Sequence, residues 1–167
     1  PDDGLPILEI GPGQGVLTRD LAEMRRPLVA VDIDPRLVTL LRRELPERQD
    51  LMVLNQDILD VDPAEALAGV GAAPPYGLVG NLPYAITALL FRKFLSEERY
   101  PPAWMLVMVQ REVAQQVVAK PGKRSLLSVS VQFYAEPELL FYVDREAFEP
   151  PPRVRAAVIL IKRLAPP

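Results

Sequence analysis

The fold is decided by one segment, Pro6-Ile7-Leu8-Glu9-Ile10-Gly11-Pro12-Gly13-Gln14-Gly15-Val16. Its first half is a short apolar run that stops at Gly11, which is typical of a buried strand. Three glycines then form a loop, and apolar residues follow at helical spacing over residues 16–24. A strand, a glycine-rich turn and a helix in this order predict the start of an α/β sheet.

Further strands and helices alternate along the chain. The predicted strands are residues 6–10, 28–31, 51–54, 77–80, 104–109, 139–143 and 154–161. The predicted helices lie at 16–24, 35–45, within 60–77, 85–95 and 111–119. This order predicts an α/β fold with a mostly parallel seven-stranded sheet, an antiparallel edge strand and helices on both faces. Residues 125–134 fit both the alternation of a strand and the spacing of a helix.

The composition excludes several classes of chemistry. The chain has 167 residues, which is enough for one domain with a sizeable core, and it contains neither His nor Cys. Ser-His-Asp catalysis, thiolate nucleophiles and His- or Cys-based metal sites are therefore excluded, and we expect no metal. Because no segment predicts a secretion signal or a membrane span, we expect a cytoplasmic protein with no membrane partner.

Charge is distributed unevenly. Residues 1–91 carry 7 basic and 14 acidic side chains, whereas residues 92–167 carry 12 basic and 8 acidic ones. The net charges are therefore −7 and +4. This is compatible with an ordinary uneven surface, but it also suits an anionic partner that contacts only the basic half.

Acidic side chains accompany the glycine loop at the predicted strand ends. In dinucleotide-binding folds the third glycine comes one residue later than Gly15, and Glu9 would repel a pyrophosphate. Asp32, after the second strand, can accept hydrogen bonds from a ribose diol, and Asp57, after the third, from the amine of an adenine. Each acid alone is as easily a helix cap or a solvated loop residue. Together they favour a cationic ligand that carries adenosine, such as S-adenosylmethionine.

The fourth strand runs into Asn81-Leu82-Pro83-Tyr84. The Asn81 side-chain oxygen and the Leu82 carbonyl can accept hydrogen bonds from an aromatic amine and stabilise the positive charge that develops on it during methyl transfer. Pro83 stiffens the turn, and Tyr84 offers a ring on which a flipped base can stack. No general base is required before attack, because the nitrogen loses its proton after the methyl group arrives.

With these motifs in place, the chain resembles the ribosomal RNA adenine N6,N6-dimethyltransferases. The resemblance rests on residues 8–18, 31–34, 55–59, 80–84, 108–114 and 148–154. It implies a Rossmann-like class I fold that depends on S-adenosylmethionine, with helix at 125–134. The small-subunit members match best. They dimethylate two adjacent adenines in a hairpin loop near the 3′ end of 16S rRNA, in the small ribosomal subunit.

The resemblance also implies residue roles. Cofactor contacts would come from Glu9, Gly11, Gly13, Gly15, Asp32, Ile33, Asp57, Ile58 and Asn81. The target adenine would be held by Asn81, Leu82, Pro83 and Tyr84, with Phe148 on its other face. Candidates for RNA phosphate contacts in the basic half are Arg111, Lys120, Lys123, Arg124, Arg153 and Arg155.

The chain also departs from the family pattern. The family has an upstream segment and a helical domain after the last strand, and neither is in residues 1–167. We therefore expect a single catalytic core, monomeric and weakly active or inactive by itself. One alternative is the antibiotic-resistance type that dimethylates an adenine in 23S rRNA, although its members tend to be rich in Lys. The other is a non-catalytic ribosome-assembly or nucleic-acid-binding module on the same fold.

Overall fold

The computed structural model describes residues 3–144 and 154–165, which fall into two compact units, residues 1–81 and 82–167. The first unit contains strands β1 (Ile7–Ile10), β2 (Leu28–Asp32), β3 (Leu51–Asn55) and β4 (Gly77–Asn81), and helices α1 (Val16–Glu23), α2 (Pro35–Glu44) and α3 (Pro63–Ala68). The second contains α4 (Thr87–Arg92), β5 (Trp104–Gln110), α5 (Arg111–Val117), α6 (Leu126–Gln132), β6 (Ala135–Val143) and β7 (Ala156–Arg163). The seven predicted strands are therefore all present.

The four strands of the first unit are parallel and lie in the order β3-β2-β1-β4. Every residue of β1 and β2 is buried, which explains their nearly continuous apolar sequences. In the register, Ile10 pairs with both Val31 and Gly80, and Asp32 pairs with Asn55. The residues that follow the strands therefore come to one edge of the sheet, as the sequence predicts.

Local signals set the helix starts of this unit. The Asp34 carboxylate accepts a hydrogen bond from the Arg36 N–H at 2.9 Å, and Pro35 occupies the first position of α2. Asp62 caps α3 in the same way, again followed by a proline. The Asp34-Pro35 pair predicts the start of α2, whereas the sequence places the short helix α3 only within residues 60–77.

The second unit is antiparallel, with β5 and β6 both paired to β7. β6 begins four residues before the predicted start at residue 139, and β7 spans 156–163 rather than 154–161. Pro137 obscured the start of β6, because a proline is expected only in an edge strand. A bulge between Leu139 and Phe141 interrupts the pairing of β6 with β7.

Residues 126–132 form helix α6, so the interpretation from alternation is wrong and the one from resemblance is confirmed. Ser125 begins the helix, because its hydroxyl oxygen accepts the Ser128 N–H at 3.3 Å. Ser128 and Val131 are fully buried. The opposite side exposes Leu126 (84% exposed), Val129 and Phe133 (74% exposed), which we call the apolar stripe of α6.

The predicted helix at 85–95 is three short helical segments. A 3₁₀ turn over Tyr84–Ile86 precedes α4, and a π-helix over Lys93–Glu97 follows it. Ion pairs link Arg92 to Glu97 at 2.6 Å and Lys93 to Glu98 at 3.4 Å across the π-helical turn. None of the helices within residues 3–144 and 154–165 is long and apolar enough to cross a membrane.

Candidate functional site

The glycine loop between β1 and α1 has a left-handed backbone at each of its three glycines, with φ of 63° at Gly11, 57° at Gly13 and 79° at Gly15. Gly15 has a second constraint, because a Cβ atom there would lie 2.3 Å from Cδ2 of Leu41. At Gly13 a Cβ atom would meet nothing within 4 Å. Packing therefore explains the position of Gly15, because the absence of a Cβ atom there lets the start of α1 pack directly against Leu41 of α2.

Asp32 is bound to this loop. Its Oδ2 accepts a hydrogen bond from the Gly13 N–H at 3.3 Å, and its Oδ1 accepts one from the Asp34 N–H at 2.9 Å. The side chain is nearly buried, whereas the neighbouring Ile33 is 69% exposed. Since each carboxylate oxygen accepts more than one hydrogen bond, Asp32 can still receive hydroxyl donors. Ile33 adds an exposed apolar surface next to it.

Asp57 lies at the same edge, after β3. Its Oδ1 accepts the Leu59 N–H at 2.9 Å and so caps the 3₁₀ turn over Ile58–Asp60. The cap that the sequence allowed is therefore present, and it leaves Oδ2 for a ligand. Ile58 is buried, so its side chain packs into the core of the first unit.

Glu9 lies in β1 directly before the loop and is almost completely buried. Burial raises the pKa of its carboxyl to about 7, the nearby Thr18 hydroxyl lowers it, and the charge of Asp32 raises it. Within the described ranges, neither the Glu9 Oε2 nor the Thr18 Oγ1 has a partner with hydrogen-bond geometry. Buried polar atoms are rarely left so, and the Glu9 Oε2 is therefore an acceptor that a donor or cationic group of a ligand could meet.

Asp32 and Asp57 give the strand-end edge of the first unit a negative charge that no described cation offsets, and Glu9 adds a carboxyl that ionises near its pKa of about 7. Among residues 3–144 and 154–165, no Lys or Arg forms an ion pair with Glu9, Asp32 or Asp57. Such an edge fits a cationic ligand with hydroxyl and amine donors, and it would repel a pyrophosphate. The unpaired, buried Oε2 of Glu9 is the atom that most directly fits a cationic adenosine ligand.

The motif Asn81-Leu82-Pro83-Tyr84 begins at the last residue of β4, where Asn81 is exposed. In the second unit, buried Leu82 donates its N–H to the Met108 carbonyl at 3.0 Å. The Pro83 carbonyl accepts from the Ile86 N–H and from the Thr87 hydroxyl, at 3.1 and 3.0 Å. No hydrogen bond within the described part of the chain uses the Leu82 carbonyl, so it is available to a substrate.

Thr87 is a functional candidate that sequence reasoning missed. It is buried, and its hydroxyl fixes the carbonyl of Pro83. The sequence contains a signal for this contact, because Thr87 follows Pro83 by four residues. At that spacing a side-chain hydroxyl can donate a hydrogen bond to a main-chain carbonyl. Tyr84 is 41% exposed, as a stacking role needs. Phe148, predicted to face it across the target, lies outside the described residues, as does Arg153.

The remaining predicted RNA contacts lie in the second unit. The guanidinium carbon of Arg111 lies 5.2 Å from the ring centroid of Tyr142. The backbone N–H of Arg111 donates to the Arg155 carbonyl at 2.9 Å. Lys120, Lys123 and Arg124 are exposed on the loop after α5. Among the residues that the structure describes, none of these five cations forms an ion pair.

Comparisons with known proteins show the family to which the chain belongs. The family model described as ribosomal RNA adenine dimethylase matches residues 1–167. A relative from Dehalococcoides mccartyi strain 195, named ribosomal RNA small subunit methyltransferase A, is 43% identical over 93% of this chain and 52% of its own length. The chain thus spans about half the length of the curated relatives it matches.

Two solved structures are also similar. The 23S rRNA methyltransferase ErmE has a TM-score of 0.83 and 34% identity, over 98% of this chain and 63% of its own. A dimethyladenosine transferase from Plasmodium falciparum has a TM-score of 0.79 and 25% identity, over 96% of this chain and 56% of its own.

Proposed function

Because the chain belongs to the ribosomal RNA adenine dimethylase family, we propose that it transfers methyl groups from S-adenosylmethionine to N6 of two adjacent adenines in 16S rRNA. The target is the hairpin loop near the 3′ end, within the small ribosomal subunit. The name of the D. mccartyi relative supports the small-subunit substrate. The fold itself is the α/β, Rossmann-like fold of class I methyltransferases that the sequence predicted.

The observation that carries the proposal is the uncompensated acidic edge of the first unit. S-adenosylmethionine supplies a methyl group on a cationic sulfur and also bears an ammonium group, a ribose diol and an adenine amine. Asp32 would hold the diol and Asp57 the adenine amine, beside the exposed Ile33 and the backbone at Ile58. Glu9, behind Gly11, Gly13 and Gly15, would supply negative charge toward the cationic end.

The acceptor side uses the turn after β4. The Asn81 side-chain oxygen and the unused Leu82 carbonyl would accept hydrogen bonds from the target N6 amine, which favours a tetrahedral nitrogen and stabilises its developing charge. Pro83 keeps this turn rigid, and the Thr87 hydroxyl stabilises it by a hydrogen bond to the Pro83 carbonyl. Tyr84 would stack on the flipped adenine, with Phe148 on its other face. The nitrogen loses its proton after transfer, so a chain without His can perform the reaction.

The partner side uses the basic unit. Arg111, Lys120, Lys123, Arg124, Arg153 and Arg155 are the proposed phosphate contacts. The catalytic core would act as a monomer in the cytoplasm on RNA that presents an unpaired, splayed base.

Calorimetric titration tests the cofactor assignment. We expect S-adenosylmethionine to bind and NADH not to bind. Asp57→Asn keeps one oxygen for the Leu59 cap but replaces the charged Oδ2 acceptor with an NH2 donor, so it should weaken binding about tenfold without unfolding the 3₁₀ turn. Tight NADH binding, or an unchanged affinity in the variant, would contradict the assignment.

Methyl incorporation into 30S particles that lack the two modifications tests the substrate assignment. The second candidate, methylation of 23S rRNA, has support from the likeness to ErmE. Matched 50S particles therefore belong in the same assay. Incorporation into 50S alone would favour this second candidate, whereas incorporation into 30S alone would favour the first.

A further inference from the structure

Tyr142, on edge strand β6, has an arrangement that the proposed methyl transfer does not use. The ring is 48% exposed, and the guanidinium carbon of Arg111 lies 5.2 Å from its centroid. The Gln115 side-chain amide donates to the Tyr142 hydroxyl at 3.4 Å. Helix α5 therefore contacts the ring with a cation and the hydroxyl with an amide, and nearly half of the Tyr142 side chain stays exposed.

The same helix leads from this ring to unpaired cations. A groove of about 500 Å³ runs along α5 and the following loop, and it is lined by Glu112, Gln115, Gln116, Ala119, Lys120, Pro121 and Lys123. Gln115 belongs both to this groove and to the contact with Tyr142, so ring and groove form one surface. Glu112 is the one acid of the lining, against two lysines that are in no ion pair with a described residue.

Tyr100 is a second exposed tyrosine beside an arginine, and its neighbouring charges differ from those of Tyr142. It is similarly exposed (41%), and the guanidinium carbon of Arg99 also lies 5.2 Å from its ring centroid. The neighbouring charges are different: Glu97 and Glu98 precede it, and they neutralise Arg92 and Lys93 in ion pairs. Arginine–tyrosine pairs occur at Tyr100, Tyr134 and Tyr142 in this unit. Among the described residues, the Tyr142 pair is the one that is hydrogen-bonded to a residue of the groove lined by Lys120 and Lys123.

We propose that Tyr142 is a stacking platform for an unpaired RNA base, and that Lys120 and Lys123 bind phosphates further along the same strand. Proteins recognise single-stranded RNA by stacking bases on aromatic rings beside cations that follow the backbone. Arg111 then acts mainly by holding the ring, with its charge beside the stacked base. This inference rests on the proposed rRNA substrate and adds a contact outside the reacting adenine.

Fluorescence anisotropy with labelled RNA tests the platform. The probes are a hairpin with the two adjacent adenines in its loop and a fully paired duplex of equal length. Tyr142→Ala should weaken binding of the hairpin about tenfold and leave the duplex within twofold. Tyr142→Phe, which keeps the ring, should remain within twofold for both. Tyr100→Ala is the matched control and should change neither, and circular dichroism of each variant checks its fold.

The outcomes separate this inference from the proposed function. If the parent chain binds the hairpin but Tyr142→Ala binds it equally well, the platform is wrong and the rRNA assignment stands. Equal weakening for hairpin and duplex would also overturn the platform, since stacking requires an unpaired base. If the parent chain binds neither probe, the platform is wrong, and the proposed function is then decided separately by the titration with S-adenosylmethionine.

Discussion

The two units of the chain differ in charge, in strand direction and in how their charges are paired. The first has parallel strands, a net charge of −7 and three carboxylates at its strand ends without a cationic partner. The second is antiparallel, has a net charge of +4 and contains seven described cations that form no ion pair with a described residue. The unpaired charges indicate the ligand of each unit: a small cation for the first and a polyanion for the second.

The largest effect is expected at Asn81, in the turn after β4 that we propose holds the target adenine. Asn81→Ala removes one acceptor of the target amine, so we expect single-turnover methylation to slow by about two to three orders of magnitude. RNA affinity, which we propose depends on the second unit, should stay within about twofold. A large loss of RNA affinity would contradict the assignment of RNA binding to the second unit alone.

The second prediction concerns the glycine loop. Gly15→Ala places a Cβ atom 2.3 Å from Cδ2 of Leu41 at a φ of 79°, so it should lower the free energy of unfolding by about 3–4 kcal/mol. Gly13→Ala is the matched control, because it has the same backbone strain without a neighbour and should cost about 1 kcal/mol. Urea denaturation measures both, and equal losses would contradict the packing argument.

The third prediction is a pH dependence set by Glu9. The pKa of its carboxyl is 4.5 in the unfolded chain and about 7 in the fold, so the folded state binds more protons between these values. Stability should therefore fall as pH rises from about 4.5 to 7, by up to about 3 kcal/mol. Glu9→Gln removes this fall and should be the more stable form at pH 8.

Thr18 provides the control for that prediction. Its hydroxyl lowers the pKa of Glu9, so Thr18→Val should shift the loss of stability to higher pH, whereas Thr18→Ser should not. Urea denaturation across pH 4–9 checks all three variants. Identical pH profiles for Glu9→Gln and the parent chain would show that Glu9 is not the titrating group.

The smallest effect concerns the exposed loop of the second unit. Lys123→Ala should weaken RNA binding about equally for hairpin and duplex, and should reduce the slope of log K against log salt concentration by about 1. Arg36→Ala removes an exposed cation of the first unit that is paired with Asp34 at 2.7 Å, and should leave the slope unchanged. A change with Arg36→Ala would extend the RNA surface into the acidic unit.

Sequence reasoning predicted the elements whose signals are local. The strand–glycine–helix start, the Asp34-Pro35 start of α2, and the placement of Asp32 and Asp57 after buried strands could all be recognised in short stretches. Helix α6 was different: the alternation of apolar residues favoured a strand. The capping Ser125 and burial of Ser128 determine the outcome, and a hydrophobic pattern does not report either.

What could not be predicted depends on contacts between distant residues. The Thr87 bond to Pro83, the loop-bound carboxylate of Asp32 and the stacking of Arg111 on Tyr142 all require the folded backbone. The proposed roles of Glu9, Asp57 and Asn81 remain predictions, although their placement at one strand-end edge supports them.

The apolar stripe of α6 has a practical consequence for these experiments. The folded chain exposes a hydrophobic surface at Leu126, Val129 and Phe133. An environment-sensitive dye should therefore fluoresce with the native protein, and melting curves recorded with such dyes should start from a high baseline. The chain should likewise be retained on a phenyl column at high ammonium sulfate, and Phe133→Ser should elute earlier with an unchanged circular dichroism spectrum.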